Sequence, residues 1–138
     1  MDVPEEEFIY PGTRACAGCS MALIYRIALK ALGPKTIITV PASCLTVLHG
    51  MQGFCTTKVS VLHTPFATTG ASASGIVASL EDKGLDQDIN VVAFAGDGGT
   101  YDIGLQSLSG ALERGHDFVY ICYTNEAYMN TGIQRSGG

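Results

Sequence analysis

VVAFAGDGGTYDIGLQSLSGALERGHDFVYICYTNEAYMNT, residues 91–131, decides how the chain folds. Two apolar runs, 89–95 and 118–124, are rich in β-branched and aromatic residues and short enough to be buried strands. The first ends in Gly96-Asp97-Gly98 and the second runs into Asn125. Between them, over 102–114, Ile103, Leu105, Leu108, Ala111 and Leu112 recur at helical spacing. Strand, loop, helix, strand is a βαβ unit, whose two strands should be parallel neighbours. Asp97 and Asn125 are then expected at the carboxyl ends of adjacent strands, the edge where open α/β sheets bind ligands. A carboxylate and a carboxamide there suit a hard cation holding a phosphate group, and the Ala127 carbonyl offers a third oxygen. The glycines would admit a diphosphate close to the main chain, with the helix opening near Asp102 aiming its N-terminus at it. Taken alone, these residues read equally well as an ordinary βαβ turn with no ligand.

The whole chain sets bounds on that site. Its 138 residues suit one domain, and 46% hydrophobic against 15% charged residues suits a sizeable core. A net charge of −5 is the wrong sign for a nucleic-acid partner. Asp2, Glu5, Glu6 and Glu7 form an acidic run expected to be solvated. No secretory signal pattern is visible, and no apolar run approaches membrane-spanning length, so no membrane partner is expected. Five cysteines without an export signal point to a reducing, cytoplasmic setting, where metal binding or catalysis outranks disulfides.

Residues 1–13, with Pro4 and Pro11, read as an extended arm, and 14–138 as the α/β domain. A small-residue loop over 14–20 carries Cys16 and Cys19. Ser20 is placed to cap a helix over 21–32 with Leu23, Ile27, Ala28 and Ala31 on one face, and Gly33-Pro34 ends it. Residues 36–40 read as a strand and 41–44 as a turn at its carboxyl end, which puts Cys44 near the edge that holds Asp97. Residues 45–58 read as irregular, 59–62 as a short strand and 63–66 as a loop. The run TTGASASGIVASL, 68–80, is a helix of very small residues that would let another backbone approach closely. Residues 128–138 contain no closing element. The expected fold class is α/β, a parallel sheet with helices on both faces, incomplete within this chain.

Cys16-x-x-Cys19 alone reads as two small buried hydrophobes, or as a redox pair, although its small flanking residues disfavour the latter. Small residues between thiols let backbone N–H groups turn toward bound sulfide, which suits an iron–sulfur cluster. Cys44 adds a third thiol in its own small-residue turn, with 24 residues between it and Cys19. A cluster needs four ligands. Cys122 lies within a predicted strand and reads as core, and Cys55 has no comparable turn. His49, His63 and His116 are not clustered in sequence; His116 reads as a surface cap, and His63 falls at a strand end beside the site.

Taken together, Ala15-Cys16-Ala17-Gly18-Cys19-Ser20, Ser43-Cys44, Gly96-Asp97-Gly98-Gly99-Thr100-Tyr101-Asp102-Ile103-Gly104 and Asn125-Glu126-Ala127-Tyr128-Met129-Asn130-Thr131-Gly132 resemble the β subunit of 2-oxoacid:ferredoxin oxidoreductases of the pyruvate synthase type. The similarity runs from about Gly12 onward. Ala42 and Ser43 stand where that family often has Thr and Gly. The resemblance implies a thiamine diphosphate-binding fold with Mg²⁺ on Asp97, Asn125 and the Ala127 carbonyl. It implies that Ser43, Cys44, Gly96, Gly98, Asn130 and Thr131 contact the cofactor. It further implies a [4Fe–4S] cluster on Cys16, Cys19 and Cys44, its fourth ligand lying in a C-terminal half beyond these residues.

The implied activity is oxidative decarboxylation of a 2-oxoacid to acyl-coenzyme A and CO₂, with single electrons passing through the cluster to ferredoxin. The implied partners are α-, γ- and δ-type subunits, ferredoxin, the 2-oxoacid and coenzyme A. No glutamate here sits in a motif suited to activating the cofactor, and in the family that residue comes from another subunit or domain. Two other readings remain open at this point. One is a thiamine-dependent decarboxylase or transketolase-like piece without iron; the other is a zinc-stabilised α/β module without catalysis.

Overall fold

The computed structural model describes residues 3–12, 14–50 and 54–138. Four parallel strands form the central sheet: β1 (Thr36–Pro41), β2 (Ser60–Thr64), β3 (Asn90–Gly96) and β4 (Val119–Tyr123), in the order β2-β1-β3-β4. The β3–β4 pair predicted from residues 91–131 is present, with Gly96 opposite Tyr123. The order also creates a switch point. After β1 the chain crosses to one side, and after β2 it returns to the other, so a crevice opens between the carboxyl ends of β1 and β3.

The pleat sends alternate side chains to opposite faces, and each face has its own core. Ile38, Val40, Val92 and Phe94 pack with Met21, Tyr25 and Leu29 of α1 (Ser20–Leu32) and with Leu45 and Leu48 of α2 (Cys44–His49). Val91 and Ala93 face the other way, onto Ala73, Val77 and Leu80 of α3 (Thr69–Asp82). Helices therefore cover both faces, as expected. The small residues of α3 serve close packing: a Cβ on Gly70 would lie 2.9 Å from the Ser107 carbonyl oxygen of α4 (Leu105–Arg114).

Several local expectations are corrected. In α1 the buried stripe is Met21, Tyr25 and Leu29, whereas Leu23 and Ile27 face outward. Both stripes have helical spacing, and only the position of the sheet chooses between them. Ser20 is the first helical residue, with Cys19 as the cap, and no side chain caps the helix. Residues 44–49, read as the end of a turn and an irregular stretch, form α2; the part of the irregular stretch at 51–53 lies outside the described residues. His63 and Thr64 belong to β2 rather than to a loop.

Along α4 only Ala111 is fully buried, while Leu105 and Leu112 are exposed. The tail is not free of structure: β5 (Ala127–Tyr128) and β6 (Gln134–Arg135) pair antiparallel around a 3-10 turn, Met129–Thr131. Nor is the N-terminal arm merely solvated. Phe8 enters the core, Ile9 bridges Thr57, and the Glu7 carboxylate accepts from Arg26 and Lys30 of α1. Those two cations hold the Glu7 carboxyl down at about 2.

Candidate functional site: a carboxylate and thiols at the switch point

The helical backbone begins directly where β3 ends. Gly98–Asp102 is a π-helix in which the Ile103 N–H reaches the Gly98 carbonyl oxygen at 3.1 Å, and α4 follows after a short turn. The amino end of this helical run is thus at Asp97 and Gly98, not near Asp102 as the periodicity suggested. One extra residue per turn is often found where a helix is shaped around a site. The Gly104 backbone is part of that shape, since a Cβ there would fall 1.8 Å from the Gly99 carbonyl oxygen.

Asp97 and Asn125 follow the adjacent strands β3 and β4, as the βαβ reading required. The Asp97 side chain is only 3% exposed. Ser136 Oγ donates to its Oδ2 at 2.5 Å, and Thr124 Oγ1 does so at 3.5 Å. Among the described residues it has no lysine, arginine or histidine partner within ion-pair distance. A buried carboxylate held only by hydroxyls is under-compensated in a medium that penalises charge, and a hard cation supplies the missing term. Asn125 is exposed, and its Oδ1 accepts the Ala127 N–H at 3.3 Å, which turns the chain so that Glu126 takes a positive φ of 63°. The donor set of Asp97, Asn125 and the Ala127 carbonyl is therefore assembled at one edge, and its oxygen chemistry fits Mg²⁺.

These residues border a cavity of about 180 Å³ that also meets Ser43, Cys44, Gly96, Gly98, Gly99, Phe66, Tyr123, Tyr128, Asn130 and Thr131. Every residue expected to touch the cofactor lies on this wall. Gly98 leaves room that a side chain would fill: a Cβ there would lie 2.5 Å from the Tyr128 ring, whereas one on Gly96 would make ordinary contact with the Tyr123 ring at 3.4 Å. Burial pushes the Tyr123 phenol up to about 12, the Ser43 hydroxyl partly offsetting it, so Tyr123 stays protonated.

Of the three thiols, Cys44 alone lines this cavity. Cys44 is half-buried at the start of α2, and its thiol donates to Asn130 Oδ1 at 3.5 Å. Burial raises the Cys44 thiol above its ordinary value, and the nearby Cys19 and Cys16 raise it further. Cys16 is exposed and Cys19 half-buried, and both stand near enough to Cys44 to act on its thiol. Among the described residues, no three His, Cys, Asp or Glu side chains converge tightly enough to hold a single metal ion. A lone zinc bound at 2.3 Å would need sulfurs about 3.8 Å apart in a tetrahedron. A cubane of four irons takes its thiolates at wider separations than a lone ion does. Cys55 is exposed and lies outside the cavity wall.

The histidines differ from their expected separation. His49 and His63 meet ring to ring at 5.5 Å, and His49 Nε2 is hydrogen-bonded to the Tyr25 hydroxyl at 2.6 Å. His63 does not line the cavity. Sequence reasoning missed Ser136, Thr124, Phe66, Tyr128 and Asp102. Ser136 lies 39 residues beyond its partner Asp97, in a tail without periodicity, so no local signal marks it.

Residues 18–137 match the family model described as thiamine pyrophosphate enzyme, C-terminal TPP binding domain. The chain is 54% identical over 136 residues to the pyruvate synthase subunit PorB of Methanothermobacter thermautotrophicus, covering 99% of this chain and 47% of that protein. It is 54% identical over 138 residues to the ketoisovalerate oxidoreductase subunit VorB of Pyrococcus furiosus, covering 97% and 44%. The chain thus spans about half the length of the curated relatives it matches. A solved 2-oxoglutarate:ferredoxin oxidoreductase from Magnetococcus marinus, with 2-oxoglutarate, coenzyme A and succinyl-CoA bound, superposes with a TM-score of 0.72 at 25% identity, over 94% of this chain and 43% of that one. The chain belongs to the thiamine pyrophosphate enzyme family through its C-terminal TPP-binding domain, and its sequence is similar to subunits of pyruvate synthase and of ketoisovalerate oxidoreductase.

Proposed function

We propose that this chain forms the thiamine diphosphate- and cluster-bearing part of a cytoplasmic 2-oxoacid:ferredoxin oxidoreductase that works as a multi-subunit complex. The observation that carries the reading is the juxtaposition, on one cavity wall, of the Cys44 thiol and the buried Asp97 carboxylate, which pairs with no lysine, arginine or histidine among the described residues. Asp97, Asn125 and the Ala127 carbonyl would hold Mg²⁺, and Gly96, Gly98, Ser43, Asn130 and Thr131 would line the diphosphate and thiazolium. Cys16, Cys19 and Cys44 would give three thiolates to a [4Fe–4S] cluster, the fourth coming from outside these residues. When bound, thiamine diphosphate supplies the carbanion chemistry that cleaves a 2-oxoacid, and the cluster accepts the electrons singly.

This chain's own groups bind, orient and insulate. Asp97 fixes the cation in a buried setting where its charge is weakly screened. The glycines of this run bring no side chains of their own to the cavity wall. Tyr123 and Phe66 keep water off one side of the cavity. No glutamate lines this cavity, so the group that activates the cofactor would come from a partner subunit or another domain. Pyruvate and branched-chain 2-oxoacids are the substrates that the relatives' names support, with coenzyme A as acyl acceptor and ferredoxin as electron acceptor.

The test is to purify the native complex anaerobically and to measure ferredoxin or viologen reduction against a panel of 2-oxoacids, with and without coenzyme A. Reduction that depends on a 2-oxoacid and on thiamine diphosphate, with about four irons bound by these thiolates, supports the reading. Decarboxylation without iron or electron transfer would replace it with a non-oxidative thiamine enzyme.

A further inference from the structure

Behind the cavity wall stands a residue that the proposed chemistry does not use. Asp102, the last residue of the π-helix, is not part of the cavity lining, yet it ties two parts of the neighbouring loop together. Its Oδ2 accepts a short hydrogen bond from the Tyr128 hydroxyl and, at 3.0 Å, the Gly137 N–H. The Tyr128 ring in turn covers Gly98 and meets the Phe66 ring edge-on at 5.9 Å. Ala127 precedes Tyr128, while Asn130 and Thr131 follow it. Ser136, which donates to Asp97, directly precedes Gly137. One carboxylate therefore fixes both ends of the segment that presents the Ala127 carbonyl, Asn130, Thr131 and Ser136 to the site.

We propose that Asp102 is a positioning residue which, through the Tyr128 hydroxyl and the Gly137 amide, holds the 127–136 loop in the conformation that binds the Mg²⁺–diphosphate group. The proposal rests on the thiamine diphosphate reading of the cavity. Its physical basis is pre-organisation. The loop's own contacts are a two-residue ladder, a 3-10 turn and hydrogen bonds between Thr131 and Gln134, all local, and a charge-assisted bond to a phenol is among the stronger hydrogen bonds. Without this tie the loop would have to be ordered by the ligand, which weakens binding by the ordering cost.

The test uses the intact oxidoreductase complex, stripped of thiamine diphosphate and reloaded with the cofactor and Mg²⁺, with affinity read by calorimetry. Asp102→Ala is expected to weaken binding about 10- to 100-fold, the range typical of groups that orient direct ligands. Tyr128→Phe, which deletes a single hydroxyl and keeps the ring, is expected to weaken it about 10-fold. In the double variant the two effects should fail to add, because they remove one shared bond. Iron content should stay at the wild-type level in all three. Affinities within twofold of wild type in Tyr128→Phe, or strictly additive effects, would overturn the proposal, and Tyr128→Phe decides the matter if Asp102→Ala does not fold. A wild-type complex that binds no thiamine diphosphate would sink the cofactor reading itself, and this inference with it.

Discussion

The Cys44 thiol and the Asn130 carboxamide oxygen lie 3.5 Å apart although 86 residues separate them in sequence. The contact joins the loop after β1 to the loop after β4 and so couples the thiol side of the cavity to the diphosphate side. Placing a carboxylate at position 130 would set a negative charge against a thiol that must ionise to bind iron. Asn130→Asp is therefore expected to lower bound iron per chain by half or more, whereas Asn130→Ala leaves it near the wild-type level. Iron assay and visible absorbance of anaerobically purified complex check this.

Asp97 makes opposite contributions with and without ligand. As a buried carboxylate met only by two hydroxyls, it is costly in the cofactor-free protein. Asp97→Asn is expected to stabilise the cofactor-free state by about 1 kcal/mol while weakening Mg²⁺–thiamine diphosphate binding at least ~100-fold. Thermal melts with and without the cofactor should show a higher baseline and the loss of the ligand-induced rise.

Two glycines near the site should differ in their tolerance. A Cβ at Gly104 would meet the Gly99 main-chain carbonyl, which cannot move without unwinding the π-helix. Gly104→Ala is expected to cost about 3 kcal/mol or more. A Cβ at Gly98 would meet the far edge of the half-buried Tyr128 ring. Gly98→Ala should cost closer to 1 kcal/mol and be relieved by adding Tyr128→Ala. Denaturant titration of these three variants, with Tyr128→Ala alone as the reference for the double variant, measures both.

His49 makes a pH prediction. Burial, and secondarily His63, push its imidazole down from 6.5 to about 4. It is neutral in the folded protein throughout that window, whereas the unfolded chain takes up a proton there. Stability is therefore fully present above pH 6.5, is lost as pH falls toward 4, and levels off below; the loss is about 3 kcal/mol. Glu7 contributes only lower down: its depressed carboxyl gives stability that is present above about 4.5 and disappears as pH falls through about 2. Stability measured from pH 7 to pH 4 should fall in wild type, and His49→Gln should flatten that slope.

The sequence by itself determined the βαβ unit, because period-2 and period-3.6 patterns reflect backbone geometry that each segment carries locally. It also placed Asp97 and Asn125 at one edge, since parallel neighbours joined by a helix have little other choice. The motif spacing pointed to the thiamine diphosphate family that the comparisons bear out. Tertiary structure alone decided which stripe of α1 turns inward, because Met21-Tyr25-Leu29 and Leu23-Ile27 have similar spacing and only the sheet's position separates them. It alone made α2 a helix, its apolar Leu45 and Leu48 settling on the β1–β3 face despite weak local periodicity. It alone brought Ser136 to Asp97, Tyr128 to Asp102 and Cys44 to Asn130. Those contacts span 26 to 86 residues. Nothing in a local pattern records a partner that becomes a neighbour only when the sheet closes the distance.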